Sequence, residues 1–182
     1  TIAGLGTTAC GIAPSVDTTT TPLSVGFGTM GLNTFKNAAH QLTVSTNGAN
    51  GYTVTAIEND QMGKDGGTTP FIPDTTCDGG SCTHTTSTNW STATNNGLGY
   101  AIQNVSAATI SATYNGYSEF ARNFSAKQFP ATIEGESPET IMSSSTVSNA
   151  EQVNVCYRLS VGATQAAGDY MNQVTYTATA KF

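Results

Sequence analysis

The sequence predicts an all-β fold of antiparallel strands. Three observations carry this expectation. Apolar residues recur at every second position, as in LTVSTNGANGYTVTA (42–56), where Leu42 and Val44, then Tyr52, Val54 and Ala56, share one face. Clusters of Asn, Gly, Asp and Ser separate these stretches and supply turns. Thr is the commonest residue, with Gly, Ala, Ser and Asn abundant, while the helix-filling Leu, Glu and Lys are scarce.

The elements follow in chain order. The first sixteen residues, TIAGLGTTACGIAPSV, carry no charged side chain and place Ile2, Leu5, Ile12 and Val16 among small residues, so the segment is expected to dock against a surface. Residues 17–22, DTTTTP, read as an extended linker, and 1–22 together form an amino-terminal extension. A short strand is expected from Leu23 to Phe27, and 42–56 reads as a hairpin turning at Asn47 to Gly51. Residues 59–96 show little apolar periodicity and read as a long loop, stapled by Cys77 and Cys82 in CDGGSC. Leu98 to Gln103 is a further strand. In ATYNGYSEF, Asn115-Gly116 lies between two tyrosines and predicts a third hairpin with a type I′ turn. Shorter strands are expected near Ala121 to Phe124 and Ala131 to Ile133, with an exposed acidic loop from Glu134 to Glu139. Val153, Val155, Tyr157, Leu159 and Val161, a turn at Gln165 to Gly168, then Val174, Tyr176, Ala178 and Ala180 form a closing hairpin. Roughly eight to ten strands in one domain, 23–182, amount to an antiparallel β-sandwich of Ig-like or jelly-roll type.

Composition narrows the function classes. Charged residues make up 10% of the chain, against roughly 25% in globular proteins, yet 37% are hydrophobic, which is not a disorder signature. A net charge of -6 with six Lys+Arg leaves no basic patch for nucleic acid or an anionic membrane. No apolar run approaches the ~18 residues of a membrane span, and the start at Thr1 rather than Met reads as a processed, soluble chain, extracellular or at the cell surface.

Four cysteines beside two histidines, without zinc-ligand spacing, point to an oxidising compartment and two disulfides. Pairing Cys77 with Cys82 leaves Cys10 and Cys156, although three connectivities are open and a Cys10–Cys156 bond can lie within or between subunits. Cys156 alternates with Val155 and Tyr157, so a segment carrying Cys10 must cover the opposite face.

No catalytic constellation is visible. His40 is expected at the start of a strand and His84 in a polar loop, and no nucleophile, metal-protease or phosphate-loop motif accompanies them. The reading is a non-enzyme without cofactor. Asp60, Asp65, Asp74 and Asp78 crowd the long loop as weak Ca²⁺ candidates, but their spacing matches no calcium loop and solvated turn residues explain them. Trp90, Tyr114 and Tyr117 offer stacking faces for a glycan; the plainer role of a lone Trp is a packing anchor.

The stretches LSVGFGTM, LTVSTNGANGYTVTA and IMSSSTVSNAEQVNVCYRLSVGATQAAGDYMNQVTYTATAKF resemble secreted β-sandwich surface proteins of bacteria, particularly of the candidate-phyla (Patescibacteria) type. AGDY leading into NQVTYTATA is similar to the last strand of spore-coat-U and chaperone–usher pilin domains, and the Thr-rich alternation resembles TasA-type fibre subunits. These resemblances imply an extracellular filament or pilus built by donor-strand complementation, with residues 1–16 standing where the donor strand would be. The implied partner is the chain itself, as a homopolymer, with a host or neighbouring cell surface as a further contact. The alternatives are a monomeric adhesin or carbohydrate-binding module using Trp90, Tyr114 and Tyr117, and a lattice component using Ca²⁺ at the loop aspartates.

Overall fold

A computed structural model describes residues 1–5, 10, 20–106, 117–118 and 123–182. Its strands in chain order are β1 (Ile2–Gly4), β2 (Lys36–Thr46), β3 (Tyr52–Glu58), β4 (Met62–Lys64), β5 (Phe71–Ile72), β6 (Thr88–Asn89) and β7 (Gly97–Ser106). They continue as β8 (Tyr117–Ser118), β9 (Asn123–Ala126), β10 (Glu139–Ser144), β11 (Ser148–Ser160), β12 (Tyr170–Met171) and β13 (Val174–Ala180). The fold is all-β, and its sheets are antiparallel.

Two larger sheets organise the chain. One has the order β1-β2-β11-β7, the other β10-β3-β13. Two ribbons, β12-β4-β5 and β6-β9-β8, flank them. Leu42, Tyr100, Ile102, Val153 and Val155 from the first sheet share one core with Tyr52, Val54, Ala56, Ile141 and Met142 from the second. Burial of these side chains is the main favourable term holding the sheets together, each worth about 1.5–3 kcal/mol.

Strand β11 lies at the centre of the first sheet, with Val155 opposite His40 on one side and Ile102 on the other. Its inward residues enter the main core, while Cys156 and Arg158 point to a second cluster on the outer face. That cluster contains Cys10, Cys77, Cys82, Trp90, Phe124 and Cys156, with Leu5 and Phe35 packed against it. Cys10 bonds Cys156 within the chain and Cys77 bonds Cys82, with Cα separations of 6.1 Å and 5.7 Å. The first sheet is therefore covered on both faces.

Several expectations need correction. The 42–56 stretch is not a hairpin, because β2 and β3 belong to different sheets. Between them the chain arches across the core: Gly51 adopts φ 77, and a Cβ there would lie 2.1 Å from the Ser144 carbonyl oxygen. Arch and hairpin bury one face of each arm alike, so alternation does not separate them. The closing hairpin fails in the same way, since β11 pairs with β2 and β7 while β13 pairs with β3.

Leu23 to Phe27 forms no strand: Thr21 and Ser24 bridge a tight turn that leaves Leu23 94% exposed. Ala131 makes one bridge to Glu58 and then enters a 3₁₀ turn, Thr132–Glu134, ended by Gly135 at φ 75. His40 lies inside β2, not at its start. The Asn115-Gly116 turn lies outside the described residues; β8 and β9 pair as Tyr117 with Phe124. Strand β10 was not expected, and its adjacent Ile141 and Met142 both face the core because the register shifts between Thr140 and Met142.

Candidate functional site

The site is built from the last strand. In β13 the residues opposite buried Tyr52, Val54, Ala56 and Glu58 are Ala180, Ala178, Tyr176 and Val174, which share their face. Val174 and Tyr176 are half-buried, whereas Ala178 and Ala180 remain exposed. Strand β3 occupies one edge of β13, and among the described residues no strand pairs with the other. The seven residues VTYTATA contain no charge to blunt that edge.

A groove runs along this open side between the two sheets. Its wide part is a cleft of ≈ 1080 Å³ between Val174 and Tyr176 on one wall and Tyr157, Leu159 and Val161 on the other, overlain by residues 22–30. Its narrow part, ≈ 110 Å³, is lined by Leu42, Val44, Val54 and Ala178. Ile2 and Tyr176 line both parts. Ile2 reaches the groove because β1 pairs with β2 of its own chain, Ile2 opposite Leu42.

The groove floor carries one polar chain. His40 Nε2 lies 2.6 Å from the Thr21 carbonyl oxygen, so it carries the proton and donates. Nδ1 then accepts from the Tyr157 hydroxyl at 3.3 Å, and Tyr157 accepts in turn from Tyr176. Burial lowers the His40 pKa below its ordinary value despite backbone partners at Thr21 and Ser24, which keeps the ring neutral in this arrangement. Burial raises the pKa values of both tyrosines, so they stay protonated donors. This chain anchors the Thr21 turn and β13 to the central strand.

The expected donor residues divide. Ile2 lies in the groove, and Leu5 packs on the outer cluster, its N–H donating to Thr20 Oγ1 at 2.8 Å. Ile12 and Val16 lie outside the described residues. Cys10 is tied to Cys156, and buried Thr20 donates to the Ala39 carbonyl at 2.6 Å. A segment as long as 1–16 therefore cannot leave the subunit while the disulfide stands; only residues 1–9 are free of the tie.

Trp90 is not an exposed glycan platform. It is fully buried, donates from Nε1 to the Asn95 carbonyl at 2.8 Å, and meets Phe35 edge-on at 5.1 Å. Arg158 donates to its carbonyl oxygen at 2.6 Å, with the guanidinium over the rings of Phe35 and Phe124. Tyr114 and the Tyr117 side chain lie outside the described residues.

The four loop aspartates do not converge. Asp60 accepts from the Gln61 N–H, and Asp65 sits in a turn at φ 53. Asp74 meets Glu58, and Asp78 accepts from Asn89, Ser91, Thr92 and Asn95. Among the described residues no group of three or more His, Cys, Asp or Glu is placed to hold a metal ion. His84 pairs with Glu136 at 2.6 Å, far in the chain from His40 and bonded to none of its partners. Sequence reasoning missed the His40–Tyr157–Tyr176 chain, whose members lie on three strands, and the Glu58–Asp74 pair.

Among the described residues no helix is long and apolar enough to cross a membrane. The chain matches no protein-family model, no curated protein and no solved structure.

Proposed function

We propose that this protein is the structural subunit of an extracellular filament or pilus, in which the amino-terminal segment of a second copy adds to the free edge of β13. The observation that carries this reading is the apolar groove beside β13, whose inward-facing Ala178 and Ala180 stay exposed in the single chain. We read the two sheets that share the core as the β-sandwich that presents the groove. Two disulfides favour an oxidising, extracellular setting.

The occupant is argued from the chain itself. Ile2 already fills part of the groove, on a β1 that pairs with β2 over three residues and is flanked by hydrogen bonds of Thr1 with Thr43 and of Leu5 with Thr20. The same uncharged segment from a neighbour can take that place and pair further along β13. Extended, nine residues span about 30 Å, more than the seven residues of β13 require. An added strand of this kind contributes about 0.5–1.5 kcal/mol per backbone hydrogen bond and about 1.5–3 kcal/mol per buried Ile or Leu. Ordering costs about 1–2 kcal/mol per residue, so several contacts per junction are needed.

The monomeric carbohydrate-binding alternative has lost Trp90, which is sealed inside the outer cluster. The test is negative-stain electron microscopy of the chain and of a variant lacking residues 1–5, which keeps Cys10. Fibres from the first and dispersed particles from the second are expected. Equal assembly by both refutes strand donation.

A further inference from the structure

Glu58, at the end of β3, is completely buried, and its neighbourhood is unusual for a carboxylate. Asn172 Nδ2 donates to Oε2 at 2.6 Å, and among the described residues no donor reaches the buried Oε1. The remaining partner is another acid. The Asp74 carboxyl lies within hydrogen-bonding reach of Glu58. Asp74 itself is held by a bridge to Leu98 at the start of β7. The pair thus joins the second sheet to the first.

We propose that Glu58 and Asp74 hold one proton between them, and that this proton latches the first residues of β13 in the position from which the strand presents its free edge. The inference rests on the reading of β13 as the accepting edge, and it names a regulator of that site.

The fully buried Glu58 carboxylate and the half-buried Asp74 carboxylate repel in contact, and among the described residues the donor supplied to Glu58 is a neutral amide; a proton placed between the acids turns repulsion into a hydrogen bond. The other acidic groups make this more necessary. Glu134, on the 3₁₀ turn, adds like charge against both carboxyls, and Glu136, itself paired with His84, adds it against Asp74. Burial, followed by repulsion from Asp74, pushes Glu58 above the ordinary carboxylate range; burial, with Glu134 and Glu136, pushes Asp74 up.

The connection to β13 is direct. Asn172 also donates to the Asp60 carbonyl at 3.3 Å, and the Gln173 N–H donates to Asn59 Oδ1 at 2.8 Å. Val174, the first residue of β13, pairs with Glu58 itself. Ionising both acids places two like charges under this clamp.

The sign follows from linkage. The folded pair binds a proton that the unfolded carboxyls, with pKa values near 4, have released, so the latch weakens as pH rises through and above neutrality. For each proton held only in the folded state, the unfolding constant rises about tenfold per pH unit.

The test uses the unassembled chain. Carboxyl ¹³C NMR of the wild type should show one of the two acids protonated at about pH 7. Urea unfolding from about pH 6 to pH 9 should lose about one tenfold step per unit in Glu58→Gln, with Asp74→Asn as a second variant. Protection of the Val174 to Thr177 amides should fall at least tenfold from about pH 7 to pH 9 in the wild type and hold in Glu58→Gln. Both carboxyls ionised at neutral pH, with or without added CaCl₂, or an unchanged slope in the folded variants, overturns the proposal. These readouts do not depend on assembly: absence of fibres refutes the filament and leaves the shared proton standing, whereas ionised carboxyls do the reverse.

Discussion

Replacing Ala178 by Asp separates folding from assembly. In the single chain Ala178 is exposed on the groove side of β13, so the new carboxylate stays in water. The cost to the fold is then the strand propensity of Asp, under about 1 kcal/mol. Once a neighbour's strand is laid beside β13, the same carboxylate is enclosed in a lining that Ile2, Leu42, Val44 and Val54 make mostly apolar, with Thr1, Thr43 and Tyr176 its polar members. An unpaired charge removed from water costs several kcal/mol even after relaxation. Taking about 3–4 kcal/mol, subunit affinity falls by roughly two to three orders of magnitude, at about 1.4 kcal/mol per tenfold. Thr177→Asp, on the opposite face of the same strand, carries the same propensity cost and should change affinity by less than about tenfold. The assay is the lowest concentration that yields fibres by pelleting and electron microscopy, with thermal melts of both variants as the check on folding. A folded Ala178→Asp protein that assembles at the wild-type concentration would show that no strand lies along this face.

Three further outcomes are expected. Arg158→Leu leaves the Trp90 carbonyl without its 2.6 Å donor and removes the cation from between Phe35 and Phe124, which should cost about 2–4 kcal/mol in urea unfolding. Replacing Cys10 and Cys156 together by Ser should cost about 5 kcal/mol on chain entropy, against about 2 kcal/mol for Cys77 with Cys82, because the sequence separations are 146 and 5; denaturant midpoints compare the two. Burial raises the Asp78 pKa, but the hydrogen bonds from Ser91 and Thr92 together outweigh it and bring the value down to about 2, so its stabilising contribution is present above about pH 4 and lost as pH falls toward 2. Asp78→Asn should flatten that acid limb in a melting-temperature profile.

What the sequence reveals follows from which interactions are local. Apolar alternation marks β2, β3, β7, β11 and β13, although burial itself alternates cleanly only in β3, since the first sheet is covered on both faces and β13 is half-buried at Val174 and Tyr176 alone. The partners of those strands are not legible: Leu42 and Val54 alternate in the same way whether the chain returns in one sheet or arches to another. The phase of Cys156 against Val155 and Tyr157 foretells a covering segment, and Cys10 supplies it. Trp90, in a polar stretch, gives no local sign of burial; the apolar residues that enclose it, Phe35 and Phe124, are distant in sequence. Ile141-Met142 hides β10, since a bulge breaks the period. The groove is an unfilled space between β13 and the first sheet, and no single stretch encodes it.

The bond from Cys10 to Cys156 also sets how a pulled fibre would carry tension. Force entering through a donated segment at residues 1–9 meets the disulfide first and passes straight to β11, then to β13 and the next subunit. The residues between the two cysteines, including β2, β3 and β7, are shunted out of the load path. Stretching such a fibre would lengthen each subunit only by the chain outside the covalent loop, so the greater part of the core would keep its packing while the junctions strain.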